Sequence, residues 1–234
     1  MRQHLRKVVA AFIVAPWMVV PQHSALAQAA PSTSEIQAYR GLFKAAADGD
    51  AAEIERLVRN GEHLDRRDGN GRMPLHVATF GGHRNAVQTL LKLGANANAL
   101  DAQKYDPVTI ASVANDVPML KVLLEGGASA GNITSPYDGT ALIAAAHLGH
   151  AEIVRTLIEA KAPLDHVNNL RWTALIESIV LGQGGAAHTA TLKHLVEAGA
   201  NVNLADGQGI TSLALARGRG YAEMVRILAA AGGK

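Results

Sequence analysis

Histidines are the residues of this chain whose type and spacing come nearest to a chemical site. His147 and His150 lie three residues apart, which places both on one face of a helix, where they could bind a metal ion. Two ligands alone make a weak metal site. The sequence has no cysteine, no zinc-ligand cluster, no glycine-rich phosphate loop, no His-Glu-x-x-His and no Gly-x-Ser-x-Gly. It therefore predicts no metal, no cofactor and no catalytic residue, and an enzyme is the least favoured class.

The elements that carry these histidines repeat along the chain. An apolar residue, which we call the anchor, recurs at steps of 33, 33, 34, 33 and 38 residues. A small residue follows each anchor by three positions, and glycine or asparagine follows it by seven. Because a unit of this length cannot bury its apolar face alone, the period predicts a stacked solenoid. The six anchors are Leu42, Leu75, Val108, Leu142, Leu175 and Leu213.

The second unit shows the repeat in its fullest form, with Met73-Pro74-Leu75-His76, Gly82-His83, Leu90-Leu91 and Gly94-Ala95. These residues resemble the ankyrin repeat, and the resemblance covers residues 35–234. It implies an all-α ankyrin-repeat solenoid of about six helix–turn–helix units with projecting finger loops. It also implies structural roles for His76, His83 and His150. The units are expected at about 35–67, 68–100, 101–134, 135–167, 168–205 and 206–234.

Helix ends are less regular than the repeat itself. Ser34 and Gln37 have the spacing of a capping box, which predicts one continuous first helix with Tyr39 and Phe43 on its apolar face. Asn115 is expected to replace glycine in the left-handed conformation that ends a helix. Lys161 stands where glycine is usual, which leaves the end of that helix undecided.

The fifth unit has five more residues than the 33-residue period, between its two helices at 181–190. A tolerated flexible loop is the favoured interpretation. The alternative is a second contact patch near His188 and His194.

The first 27 residues do not follow the repeat. Arg2, Arg6 and Lys7 precede a 13-residue apolar run, and Ala25-Leu26-Ala27 gives a small-x-small cleavage pattern. This predicts a secretory signal peptide over residues 1–27, followed by a disordered spacer over 28–34. The alternative, an uncleaved anchor, is disfavoured because a span needs about 20 apolar residues. The expected location is the bacterial periplasm, without membrane insertion after cleavage.

Cleavage also removes three of the 22 lysines and arginines and none of the 20 acidic residues. The remaining chain carries 19 basic against 20 acidic residues, a formal charge of −1. Because nucleic-acid binding needs a basic face, this balance argues against a nucleic-acid partner.

The candidate binding residues are those that the repeat does not need. In the ankyrin family the positions three and five before the anchor, and five after it, face a concave groove. An exposed apolar stripe there would mark an interaction site, with tyrosine and tryptophan as favoured contacts. The alternative is that the finger aromatics pack on neighbouring fingers. The predicted partner-binding residues are Arg72, Phe80, Tyr105, Val113, Tyr137, His147, Leu170, Trp172, Val180 and Ile210.

Three functions remain open at this stage. The first is a non-catalytic protein-binding scaffold, monomeric when free, whose protein partner is unidentified. The resemblance to periplasmic ankyrin proteins of proteobacteria implies support of a partner enzyme in peroxide defence. The second is an immunity or inhibitor protein that blocks the active site of a toxin or enzyme. The third is an enzyme, which would need a pocket of convergent polar groups.

Overall fold

The structure is a computed structural model that describes residues 28–234. Within that range the chain is all-α, with thirteen helices and only isolated bridges between extended residues. The predicted signal peptide lies outside the described residues. The helices are α1 (Thr33–Ala38), α2 (Gly41–Asp48), α3 (Ala51–Arg59), α4 (Pro74–Phe80), α5 (Arg84–Lys92), α6 (Pro107–Val113), α7 (Val117–Glu125), α8 (Ala141–Leu148), α9 (Ala151–Glu159), α10 (Ala174–Val180), α11 (Ala186–Glu197), α12 (Ser212–Gly218) and α13 (Ala222–Ala230).

Helices α2 to α13 form six consecutive pairs, one for each anchor, which confirms the predicted solenoid. The first helices of successive pairs, α2, α4, α6, α8, α10 and α12, pack side by side, and so do the second helices. All six anchors are at most 2% exposed. Burial of the anchors between the two layers is why no unit is stable without a neighbour.

Side chains at the finger ends fix where the first helices begin. Thr140, Thr173 and Thr211 each accept a hydrogen bond from the backbone N–H three residues later, and Asp106 does the same for α6. Pro74 and Pro107 occupy the first turn, where a missing N–H costs nothing. The first helices therefore start at the same place in each unit.

Left-handed residues follow the helix ends. Asn115 has φ 55°, as predicted for a glycine substitute. After the second helices the corresponding residues are glycines, with Gly94 at φ 96° and Gly127 at φ 92°, except in unit four, where Lys161 takes φ 65°. The end of α9 is therefore regular, and Lys161 accepts a conformation that costs a side-chain-bearing residue about 1–2 kcal/mol.

Replacing Lys161 with glycine is expected to raise the free energy of unfolding by about 0.5–1 kcal/mol. Relief of the left-handed strain outweighs the added freedom of glycine in the unfolded chain. Urea denaturation measures the change. Lys121, exposed in the middle of α7, is the matched control. Glycine there should cost about 1 kcal/mol, and the same sign at both sites would contradict the assignment.

The five finger loops between 60 and 212 share one construction. The residue seven before the anchor accepts two backbone N–H bonds through its side chain at 2.8–3.0 Å in four of them. These loop-forming residues are Asp68, Asp101, Asn168 and Asp206, and Ser135 stands at this position in unit four, where Oγ accepts from the N–H of Tyr137.

Neighbouring fingers are connected in series. Backbone N–H groups of Ala102, Ser135 and Asn169 donate to carbonyls of the preceding finger at 2.8–3.0 Å. His76 adds a link, because Nδ1 accepts from the N–H of Met73 at 3.1 Å and Nε2 donates to Ala99 O at 2.9 Å. Burial lowers the pKa of His76, in keeping with a neutral ring that holds two loops together.

The opposite edge of the solenoid is tied at the turn between the two helices of each unit. His83 Nε2 donates to Ala47 O, His150 Nδ1 to Ser112 O, and His188 Nε2 to His147 O, at 2.9–3.0 Å. In unit six the hydroxyl of Tyr221 donates to Gly182 O at 2.9 Å. His83 and His150 thus have the predicted structural role. His188 belongs to the same series, displaced by the inserted residues, so one of its ring nitrogens serves the fold. The second contact patch near His188 and His194 stays a prediction.

The five inserted residues of unit five do not all lie in a loop, because some of them are helical. Helix α11 has 12 residues, whereas each of the other second helices has 9. Three of the five extra residues therefore extend α11 at its N-terminal end. Residues 186–190 are therefore helical, and the loop is confined to 181–185; its flexibility stays a prediction.

The N-terminal helix differs from its prediction in two ways. The capping box uses Ser32 and Glu35, not Ser34 and Gln37. The chain also breaks after Tyr39, so α1 and α2 are separate helices. The break is held at Gly41, whose φ is 53° and whose position leaves no room for a Cβ beside the Glu62 carboxylate. The predicted continuous first helix is therefore wrong. The predicted disorder of 28–34 stays a prediction, although α1 already begins at Thr33.

Candidate functional site

The groove is bordered by the finger loops and the first helices, and it does not expose all of the predicted binding residues. Arg72 is 1% exposed. Its Nε donates to Asp68 Oδ2 at 2.8 Å, Nη1 donates to Ala29 O at 3.0 Å, and Nη2 pairs with Glu35. Arg72 therefore joins α1 to the finger of unit two. The prediction that Arg72 is exposed for partner binding is wrong, because its guanidinium is bonded to these groups of its own chain.

Tyr105 is also buried, at 7% exposure. Its backbone N–H donates to Asp101 Oδ1 at 2.9 Å, and burial, then the charges of Asp101 and Tyr137, raise the pKa of its phenol. For Tyr105 the alternative weighed from the sequence, packing among fingers, describes its position better than an exposed contact.

The N-terminal end of the groove is covered by the chain itself. Ala30 and Pro31 line a small cleft with Val77 and Phe80. The N–H of Ala29 reaches Gln103 Oε1 on the third unit's finger at 3.3 Å. Phe80 is therefore half-buried, and the open part of the groove lies farther along the chain.

The large exposed apolar side chains lie in the C-terminal half of the described chain. Of residues 28–234, all five large hydrophobic side chains classed as exposed lie between positions 133 and 210. Two of them, Leu170 and Ile210, at 44% and 41%, are predicted binding residues. Val113 is half-buried in the third unit. We call the following set the groove patch: Tyr137, His147, Leu170, Trp172, Val180 and Ile210.

The finger tips beside the groove patch are strained. The residue four before the anchor takes positive φ in all five fingers. It is glycine in two of them, Gly71 and Gly209, but Lys104, Asp138 and Arg171 in the other three, with φ of 63°, 52° and 65°. The Lys104–Asp138 ion pair, at 3.4 Å with both side chains more than half exposed, stabilises little. The positive φ therefore belongs to the construction of the finger, and in three units a residue with a side chain adopts it.

Glu177 is the residue that the sequence interpretation missed. It lies on α10 beneath the groove patch and is 4% exposed. Its Oε1 accepts from Asn168 Nδ2 at 3.1 Å, whereas its buried Oε2 has no hydrogen-bond partner within the described chain. A buried oxygen without a partner costs about 1–3 kcal/mol and calls for an explanation.

His147 stands over this carboxyl group. Its Nδ1 lies 3.7 Å from Glu177 Oε2, beyond hydrogen-bond reach, and its side chain is 42% exposed against 5% for Glu177. Burial raises the pKa of Glu177 to about 7 and lowers the pKa of His147, which the neighbouring His188 lowers further. Burial thus disfavours the charged form of each group, which opposes an ion pair between them.

Asn168 connects the carboxyl group to the aromatic part of the groove patch. Its Oδ1 accepts the N–H of Trp172 at 2.9 Å, and its own N–H donates to Trp172 O at 3.0 Å. The backbone N–H of Trp172 and the carboxyl group of Glu177 therefore bond to the two ends of the Asn168 side-chain amide.

A signal in the sequence could have found this site. The position two after the anchor is apolar in units two, three, four and six, and is an exposed lysine in the terminal first unit, but it is Glu177 in unit five. The same unit has asparagine where three others have aspartate as the loop-forming residue. An amide can donate to a carboxylate where an aspartate would repel it.

Metal-binding groups and membrane-spanning helices are absent from the residues that the structure describes. Residues 28–234 contain no group of three or more His, Asp or Glu side chains placed to hold a metal ion. His150 is engaged with Ser112 O, and His147 faces Glu177. Over the same range, every helix is too short or too polar to cross a bilayer.

Comparison with known proteins agrees with this architecture. The family described as "Ankyrin repeats (3 copies)" matches residues 42–134 and 108–206. A putative ankyrin repeat protein of Escherichia coli K12, YahD, is 31% identical over 189 residues, covering 80% of this chain and 94% of the relative. The human ankyrin repeat and SOCS box protein 16 is 29% identical over 175 residues, covering 74% of this chain and 38% of its own length.

Solved structures give the same result. An ankyrin repeat domain from Acinetobacter baumannii AYE superposes with a TM-score of 0.78 at 42% identity, over 82% of this chain and 98% of that domain. The ankyrin repeat domain of Bcl-3, from the IkappaB family, gives 0.74 at 29% identity, over 84% and 87%. Ankyrin repeat domains are in general non-catalytic modules that bind other proteins. The chain belongs to the ankyrin repeat family.

Proposed function

We propose that this protein is a non-catalytic binding scaffold of the bacterial periplasm and that a partner protein docks on the groove patch. One observation carries the proposal. Two of the five large hydrophobic side chains that are exposed among residues 28–234, Leu170 and Ile210, occupy groove positions, and the half-buried Tyr137 and Trp172 occupy two more. A solenoid gains nothing from such exposure, whereas aromatic and aliphatic side chains in a rigid groove are suited to binding.

The scaffold is also suited to the task energetically. The fingers of units two to five are tied in series by backbone hydrogen bonds, so a partner meets a surface that is already ordered there. Preorganisation of this kind reduces the entropy lost on association. The strained residues Lys104, Asp138 and Arg171 provide charged groups at the rim of the same surface.

Replacing Trp172 with alanine is expected to weaken partner binding by about 2 kcal/mol, some thirtyfold, because a central tryptophan carries much of an interface's energy. The test uses pull-down from an envelope extract with the original and variant proteins, followed by affinity measurement on the recovered partner. Lys193→Ala, an exposed change on α11, is the control. Normal binding together with a lowered denaturation midpoint would show that Trp172 serves the fold instead.

The periplasmic part of the proposal predicts a mature protein that begins at Gln28. The basic start, the apolar run and the small residues at 25 and 27 are its basis. Intact mass spectrometry of the protein from the producing cell's envelope is the measurement. A mass that includes Met1 would contradict both the signal peptide and the location.

We further propose that the partner is an enzyme that this scaffold supports in peroxide defence. The basis is the resemblance to periplasmic ankyrin proteins of bacteria. The recovered partner decides between this role and that of an immunity or inhibitor protein. A partner enzyme that stays active in the complex fits the scaffold, and one whose activity is blocked fits the inhibitor.

A further inference from the structure

The carboxyl group of Glu177 is an unsatisfied acceptor at the base of an otherwise apolar surface. Oε1 is held by Asn168 at 3.1 Å, and Oε2 is left without a partner under the partly exposed His147. The fold does not require this group, because units two, three, four and six have Val77, Ile110, Ala144 and Leu215 at the same position. A buried acid that costs stability and leaves one oxygen without a partner indicates a functional group.

We propose that the partner segment carries an arginine or lysine side chain, flanked by apolar residues, whose cationic group pairs with Glu177. This inference rests on the proposed function, since it names the chemistry of the partner that docks on the groove patch.

A cation fits this position better than a metal ion or a neutral group. A metal would need further ligands, and residues 28–234 offer no group of three His, Asp or Glu around Glu177. A basic side chain supplies donors for Oε2 and restores the charged form of a carboxyl whose pKa burial has raised to about 7.

The walls of the groove patch suit the rest of such a side chain. Leu170 and Ile210 can cover a methylene stem, and the ring of Trp172 offers a face to a guanidinium or ammonium group. Asn168 bonds to the backbone N–H of Trp172 and to the Glu177 carboxyl group, so one side chain fixes both the backbone that carries the ring and the carboxyl group. A cation that reaches Oε2 would have to displace the His147 side chain, which is 42% exposed and whose Nδ1 lies 3.7 Å from Oε2.

The experiment selects peptides from a displayed library of random linear sequences on the purified protein and on Glu177→Gln and Trp172→Ala. Peptides enriched by the original protein should share a basic residue among apolar ones. The affinity of a synthetic peptide should fall at least about tenfold when its arginine becomes citrulline, or its lysine norleucine. Glu177→Gln should lower it equally, and the two changes together should add little, since both remove one contact. Glu152→Gln, an exposed carboxyl on α9, is the control and should change nothing.

The outcomes separate the two proposals. If the peptides need Trp172 but bind Glu177→Gln with the same affinity as the original protein, the proposed pairing with Glu177 is wrong and the groove patch is retained as the binding site. Enrichment without a shared basic residue also overturns the pairing. If Trp172→Ala binds the selected peptides normally, or if no peptide is enriched, the groove patch is not a peptide-binding site and both proposals fail.

Discussion

Replacing Leu123 with alanine is expected to lower the free energy of unfolding by about 2–5 kcal/mol, the range for large-to-small changes in a packed core. Leu123 is fully buried on α7, a middle second helix that packs between α5 and α9. The cavity would be lined by neighbouring units that cannot collapse without breaking their own contacts. Urea denaturation followed by far-ultraviolet circular dichroism measures the loss.

The neighbouring Leu124 provides the control, since it is half-buried on the same helix and has the same chemistry. Leu124→Ala should cost clearly less than Leu123→Ala. Equal costs at the two positions would mean that the register of α7 in the solenoid is wrong.

Replacing Glu177 with glutamine is expected to stabilise the protein at pH 8 by about 3 kcal/mol, and by less than about 1 kcal/mol at pH 5. The folded pKa is raised from 4.5 to about 7 because burial penalises the ionised form. The proton on Glu177 thus stabilises the fold fully below about pH 4.5, and this contribution is lost as the pH rises through about 7. Glutamine keeps the contact with Asn168 and carries no charge at either pH.

Denaturation midpoints of both proteins across this pH range are the measurement. Glu152 is the matched control, because it is exposed, pairs with Arg155 and has a lowered pKa. Glu152→Gln should bring no gain in stability as the pH rises. The absence of a gain at pH 8 for Glu177→Gln would show that the carboxyl group is solvated in solution.

The sequence predicts the solenoid well because its signal comes from packing that recurs. Each of the six anchors is buried in the same way, so one local environment recurs six times in the sequence, as at Leu75 and Leu142. The sequence also predicts a helix end where a single residue determines it, as at Asn115. The sequence does not predict a helix end where the deciding contact is distant. At the start of α2 the N–H of Leu42, next to Gly41, donates to Glu62 Oε2, 20 residues along the chain.

The candidate site was predicted less well, for a similar reason. A variable position is a place that the repeat leaves open, but what fills it depends on residues outside the repeat. Arg72 is buried because α1 supplies Glu35, and α1 belongs to no unit. Glu177 is not predictable from exposed variable positions, because it is a buried position under His147. Leu170 and Ile210 are exposed as expected, but whether they bind a partner stays a prediction.

The ties along the edge opposite the fingers have a consequence for how the array comes apart. Between units two and three the position of His83 and His150 is taken by Asp116, which pairs with Arg84 at 3.0 Å with side chains 50% and 22% exposed. In a linear array, stability is a sum over nearest neighbours, and a surface ion pair adds little and is screened by salt. Of the ties along this edge, this one is therefore the most sensitive to ionic strength. When it opens, four units remain on the C-terminal side, and the groove patch lies entirely among them.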